Sequence, residues 1–137
     1  MSVTIALVDD DRNILTSVSI ALQAEGFVTR VYSDGEAALK ALDGTAKHAS
    51  AMILDLSMPG LDGLGVLKAM RERGISIPVI VQTAQGGLET AISAMRAGAF
   101  DFVVKPAAPE RLRASIADAL KVQALDAGLR QALAPVR

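Results

Sequence analysis

Cysteine is absent from this sequence, and histidine occurs once, as His48. Disulfides, thiolate metal sites, cysteine nucleophiles and polyhistidine metal sites are therefore excluded. Tryptophan is also absent, and three Phe and one Tyr are the only aromatic residues. A surface that stacks single-stranded bases needs more of them. The formal net charge is −1, so overall charge argues neither for nor against nucleic acid. No direct nucleic-acid binding is expected of this segment. No uninterrupted apolar run is long enough to span a bilayer. The N-terminal "MSVTIALVDDD" lacks the basic stretch and cleavage-like site of a signal peptide. The expected location is the cytoplasm, with no membrane partner. Internal repeats, low-complexity tracts and a phosphate-binding glycine loop are missing too.

What is present suffices for one ordinary domain: 137 residues, of which 51% are hydrophobic. Short apolar runs alternate with longer helical patterns. The runs are Val3–Val8, Val28–Tyr32, Ala51–Leu54, Val79–Gln82 and Phe102–Val104. They are rich in Val and Ile and often apolar at consecutive positions, as strands covered on both faces are. Between them, helical spacing covers residues 12–25, 35–43, 63–73 and 87–97, and a last helix begins near Pro109. Gly26, Gly74 and Gly98 stand as helix stops, and Ser33 or Asp34 as a cap. The order βαβαβαβαβα predicts a doubly wound α/β domain with a five-stranded parallel sheet.

Ligands of such sheets bind beyond the carboxyl ends of the strands. There the sequence places "DDD", "YSD", "DLSMPG", "QTAQ" and "KPAAP". Clustered carboxylates need a counter-charge, and an all-oxygen donor set suits Mg²⁺. Asp10 and Asp55 are the expected direct ligands. Asp9 would act through a bound water, and the backbone carbonyl of Ser57 would complete the set. Lys105 adds an ammonium and Thr83 a hydroxyl, which with a metal form a clamp for a transferring phosphoryl group. Asp55, alone at the end of the central strand, is the candidate nucleophile for an aspartyl phosphate.

"LVDDD", "LDLSMPGLDG", "TA" at 83–84 and "DFVVKP" at 101–106 stand in the order and spacing of a known family. The chain resembles the receiver domain of two-component response regulators over residues 3 to about 123. "ETAISAMRAGAFDFVVKP" looks most like receivers of NtrC-type activators that work with sigma-54. The resemblance implies a (βα)5, flavodoxin-like fold. It implies that Asp55 accepts a phosphoryl group from a sensor histidine kinase, and that Asp9, Asp10 and Asp55 hold Mg²⁺. Thr83 and Lys105 would bind phosphoryl oxygens. Thr83 would couple to a buried aromatic, Phe102, changing the surface made by the fourth helix, fifth strand and fifth helix. The Lys105–Pro106 bond would be cis. The domain is expected to catalyse only its own phosphorylation and dephosphorylation and to act as a switch, not a metabolic enzyme.

The chain departs from the family pattern at Phe102, where many receivers have Tyr, and at Ala107, where an aromatic is common. Ser57 and Gln85 occupy the positions that influence water access. Asp11 is read as a helix cap, and His48 and Arg71, Arg73 and Arg96 as solvated.

Residues 1–123 are the expected receiver domain. Residues 124–137 are read as a helical extension or a linker toward an output domain, with transcription the expected regulated process. Val122, Leu125, Leu129 and Leu133 fall at near-helical spacing, Gly128 weakens the helix, and Pro135 stops it. A homodimer is expected either through that helix, which would bury the leucines, or through the face of the fourth helix, fifth strand and fifth helix. Three alternatives stay open. One is a stand-alone receiver acting by protein contact or in a phosphorelay. Another is a metal-dependent phosphohydrolase built on Asp9-x-Asp11, and the third is a flavin-binding module on the same fold.

Overall fold

In the computed structural model, residues 3–43, 49–84 and 86–133 are described. The elements are β1 (Thr4–Val8), α1 (Arg12–Ala24), β2 (Val28–Tyr32), α2 (Gly35–Leu42), β3 (Ala51–Leu54), α3 (Gly63–Glu72), β4 (Val79–Thr83), α4 (Leu88–Arg96), β5 (Asp101–Val104) and α5 (Pro109–Ala132). All sheet pairings are parallel, and the strand order is β2-β1-β3-β4-β5. The expected element order holds, with ends that move by a residue or so. Among the described residues, no helix is long and apolar enough to cross a membrane.

Consecutive apolar residues in the strands serve two separate cores. Ala6, Val8, Met52, Leu54, Val79 and Val81 face α2, α3 and α4, where Leu39, Val66, Leu67 and Ala94 are buried. Ile5, Leu7, Ile53, Ile80 and Val103 face the other way, against Leu15 and Leu22 of α1 and Leu112 and Ile116 of α5. Successive strand side chains point to opposite faces, so a strand covered on both sides must be apolar throughout. The outer strand β2 is largely exposed and is the least uniform in sequence.

Aspartates fix where three helices start. Asp11 accepts hydrogen bonds from the backbone N–H of Asn13 (2.9 Å) and Ile14 (3.4 Å). Asp34, not Ser33, caps α2 through the Ala37 N–H at 2.7 Å, and Asp62 caps α3 through Gly65 at 2.8 Å. Gly26, Gly74 and Gly98 follow α1, α3 and α4 with φ of +93°, +70° and +107°. Helix α5 runs unbroken past residue 123 and through Gly128 to Ala132, so the expected domain boundary falls inside a helix. Pro135 and His48 lie outside the described residues.

One close approach holds the third strand's end in place. A Cβ on Gly63 would lie 2.5 Å from the Asp55 carbonyl oxygen and 2.6 Å from the Leu56 Cα. Both neighbours are backbone and cannot rotate away. Gly63→Ala is therefore expected to destabilise the fold by about 2–3 kcal/mol despite alanine's better helix propensity. A lower urea midpoint with an unchanged slope checks this. An unchanged midpoint would show that the α3 start can shift freely.

Candidate functional site

The first and third strands end side by side, and each delivers an aspartate directly from its last apolar residue. The backbone N–H of Asp55 donates to the Val8 carbonyl at 2.9 Å, and that of Asp9 to Tyr32 at 3.1 Å. These bonds continue the parallel ladder one residue past β1 and β3. Asp9 and Asp55 are consequently buried, at 4% and 5% exposure, while Asp10 is exposed. One carboxylate oxygen from each of Asp9, Asp10 and Asp55 lies within 4.8 Å of the others.

Lys105 reaches this cluster from β5. Its ammonium lies 2.6 Å from Asp9 Oδ2 and 3.6 Å from Asp55 Oδ2. The Lys105 backbone N–H donates to the Thr83 carbonyl at 2.8 Å, tying the ends of β4 and β5 together. The Lys105–Pro106 bond is cis. The remaining oxygen of each buried aspartate has a backbone donor. Asp9 Oδ1 accepts from Asp11 N–H at 2.9 Å, and Asp55 Oδ1 accepts from Ser57 N–H at 3.3 Å.

Thr83 ends β4 and is buried. With Leu56, Ser57, Met58, Asp62, Leu64 and Thr90 it lines a cavity of about 280 Å³ beside the cluster. A larger cavity of about 520 Å³ lies at the far end of the sheet, between the C-terminal ends of α3 and α4, away from the carboxylates. Gln85 lies outside the described residues.

The electrostatics follow from this geometry. Burial pushes the Asp55 carboxyl above its ordinary value, and the Asp9 carboxylate adds to the rise. Lys105 and the Ser57 N–H pull the other way, and Asp10 raises it further. Three carboxylates and one ammonium leave the cluster short of positive charge. The donors are all oxygen, the set that a hard divalent cation such as Mg²⁺ takes, so the residues fit the ion expected there.

The structure brings together Asp9, Asp10, Asp55 and Lys105, and puts Thr83 and Ser57 beside them. The Ser57 N–H meets Asp55. One detail differs from expectation. Phe102 is half-buried instead of buried, packing on the core shared by α2, α3 and α4. Its strand is at the sheet edge, so one flank stays open.

A second polar cluster escaped the sequence reading. Asp101 accepts from the Ser115 hydroxyl at 2.7 Å, Arg111 at 2.9 Å and the Phe102 N–H at 2.7 Å. The signal available was Arg111 and Ser115 at i, i+4 on one helix face. Burial acts to raise the Asp101 carboxyl, but these hydrogen bonds outweigh it and hold the carboxyl below its ordinary value. A lowered folded-state value stabilises the protein above the unfolded-state value, and that contribution is lost as pH falls through the folded one. Asp101→Asn is expected to cost about 1 kcal/mol at neutral pH and to lose less stability than wild type on acidification below about pH 4. Thermal melts across that range check it; parallel pH profiles would refute it.

The response regulator receiver domain model matches residues 5–117. This chain belongs to the response regulator receiver domain family. The receiver is 39% identical over 100 residues to the DNA-binding transcriptional regulator NtrC of Klebsiella pneumoniae, covering 73% of this chain and 21% of that protein. It is 35% identical over 130 residues to the transcriptional regulatory protein FixJ of Bradyrhizobium diazoefficiens, covering 95% of this chain and 62% of FixJ. The crystal structure of NtrX from Brucella abortus superposes with a TM-score of 0.87 at 34% identity, covering all of this chain and 31% of that one. The receiver thus spans less than two thirds of each of these relatives, and NtrC-type receivers are among the proteins it resembles. Family membership makes it a signalling domain of two-component systems and sets aside the phosphohydrolase and flavin-module alternatives.

Proposed function

We propose that this receiver is a phosphoacceptor switch in which Asp55 takes a phosphoryl group from the phosphohistidine of a sensor kinase. The observation that carries this reading is the convergence of one ammonium on two buried carboxylates, with Lys105 Nζ 2.6 Å from Asp9 and 3.6 Å from Asp55. An aspartate carboxylate attacks phosphorus, an O–P bond forms, and the donor's P–N bond breaks, releasing the imidazole. Lys105 pairs with one phosphoryl oxygen, and the Thr83 hydroxyl donates to another. The Ser57 N–H, already aimed at Asp55 Oδ1, steadies the carboxylate. Asp9, Asp10, Asp55 and the Ser57 carbonyl are the residues that would hold Mg²⁺. When bound, that ion offsets carboxylate charge and the charge of the phosphoryl oxygens.

Thr83, drawn toward the phosphoryl group, shifts the packing around half-buried Phe102. Phenylalanine has no hydroxyl, so the change is transmitted by packing alone. The surface altered is that of α4, β5 and α5, in the cytoplasm. The output is transcription, a reading supported by the names of NtrC and FixJ. Residues 1–123 form the receiver and 124–137 an extension toward an output domain. The chain catalyses its own phosphorylation and dephosphorylation only.

The test uses Mg²⁺ and a small acyl-phosphate donor, read by intact mass and site mapping. One phosphoryl group on Asp55 is expected. Modification of Asp9, or turnover of external phosphoesters that survives loss of Asp55, would overturn the reading.

A further inference from the structure

The cavity of about 520 Å³ lies where β4 and β5 begin, at the opposite end of the sheet from the carboxylates, and the phosphoacceptor chemistry leaves it unused. Its lining is buried at Leu67, Met70, Val79 and Ala99 and half-buried at Ile77 and Phe100. The volume falls within the roughly 300–1,000 Å³ of small-molecule sites, which pair apolar walls with a few placed polar groups. Among the described lining residues, Arg71 is the only charged side chain, and no carboxylate joins it.

The fold keeps Arg71 at this cavity without giving it a partner. Among the described residues its side chain has no ion pair and no hydrogen bond, whereas Arg73, two positions on, pairs with Asp43 at 3.1 Å. An alanine Cβ at Gly98 would lie 3.1 Å from Arg71 Nη2, so the bare glycine lets the guanidinium rest against the end of α4. Capping that end does not account for the arginine. The N–H groups of Ala97, Gly98 and Ala99 already bond the Ser93, Met95 and Ala94 carbonyls. At the end of α3, Gly74 and Ile75 do the same for Arg71 and Met70. The negative ends of both helices are thus satisfied by their own chain, which blunts their opposition to an anion. A peptide would need free main-chain groups to pair with. The N–H groups of Gly74, Ile75, Gly98 and Ala99 are taken, and that of Phe100 donates to Val79 at 2.7 Å. This favours a free small molecule over a peptide.

We propose that the cavity binds a free monocarboxylic acid whose apolar body has on the order of ten carbon atoms, with the carboxylate on Arg71 and the body against Met70, Val79 and Phe100. The proposal goes beyond the phosphoacceptor reading and does not rest on it.

The test titrates octanoate, octanol and octylamine at millimolar concentration into the full chain, read by backbone amide chemical shifts and calorimetry. Octanoate is expected to shift the amides of residues 75–79 and 97–100 and to bind about tenfold more tightly than octanol. Arg71→Gln is expected to bring octanoate down to the affinity of octanol. Its melting temperature should be unchanged, because Arg71 is exposed and glutamine is a good helix former. No shifts with octanoate would overturn the proposal. Octanol binding as tightly as octanoate, or Arg71→Gln binding octanoate undiminished, would overturn the role of the guanidinium. Tighter binding of octylamine would show that the helix ends govern the cavity and would overturn it too. Shifts confined to the exposed leucines of α5 would mean adsorption to that helix, again against the proposal. A chain that takes up a phosphoryl group on Asp55 but gives no octanoate shifts would sink this proposal alone.

Discussion

Asp55→Asn is expected to abolish phosphoryl uptake completely and, in metal-free buffer, to raise the melting temperature. The first effect follows from chemistry: an amide oxygen does not form the acyl phosphate, and no other carboxylate replaces Asp55. Asp9, the other buried one, already holds the Asp11 N–H and the Lys105 ammonium. The second effect follows from burial. Asp55 is 5% exposed and its carboxyl is raised, chiefly by burial and then by Asp9. The folded state therefore binds the proton more tightly than the unfolded state does. Stability falls as pH rises from the ordinary carboxylate value through the raised one, and the cost is fully present above it. Asparagine removes that cost while keeping a similar shape. A gain of about 1 kcal/mol, or roughly 3–6 °C at this chain length, is expected near neutral pH without metal. The gain should vanish on acidification, where wild-type Asp55 is protonated. It should also shrink when Mg²⁺ is added, because the metal favours the wild-type carboxylates. Melts of both proteins at several pH values, with chelator and with Mg²⁺, measure this. A wild type that is more stable than Asp55→Asn in chelator at neutral pH would contradict the charge argument.

Lys105→Met is expected to slow phosphoryl uptake from an acyl phosphate on the order of a hundredfold to a thousandfold, the usual loss when one preorganised charge partner is removed. The same substitution leaves Asp9 and Asp55 buried without their ammonium. Breaking a buried ion pair by deleting one partner typically costs about 3–5 kcal/mol. Lys105 is 14% exposed in its side chain, so solvent can relieve part of that, and about 2–3 kcal/mol is expected in metal-free buffer. Methionine preserves most of the stem's packing, which assigns the loss to charge. The two effects separate by experiment. High Mg²⁺ should restore stability by supplying positive charge, while the slow uptake persists because the phosphoryl oxygen still lacks its partner. If Mg²⁺ rescued rate and stability together, Lys105 would be a counter-ion for the empty cluster and not a ligand of the phosphoryl group.

The strands were legible because each is covered on both faces. Ile5, Leu7, Ile53 and Ile80 serve one core, and Ala6, Val8, Leu54 and Val81 the other, so the apolar runs could be read without knowing their partners. Caps were legible because Asp11 and Asp34 bond to N–H groups within three residues. The carboxylate cluster was legible through the strand-end rule and the family resemblance together. The family resemblance implies a buried aromatic at Phe102, but its exposure depends on the place of β5 at the sheet edge. Chain spacing carries no direct record of that place. The Asp101 cluster was missed for a related reason: Asp101 and its partners sit on different elements, and only packing brings them together.

Local spacing in the sequence therefore determined the order of strands and helices, the helix caps and stops, and the set of chemically useful residues at the strand ends. These depend on interactions within a few residues, where spacing is geometry. The tertiary structure decided which partners those residues meet: Lys105 closest to Asp9 and then Asp55, the Ser57 N–H on Asp55, Phe102 half-covered, and Gly63 pressed on the backbone of Asp55. It also decided that the last leucines of α5 face away from their own domain. Each of these is set by how separate elements pack and turn against one another, and a fraction of a helical turn is enough to change the partner.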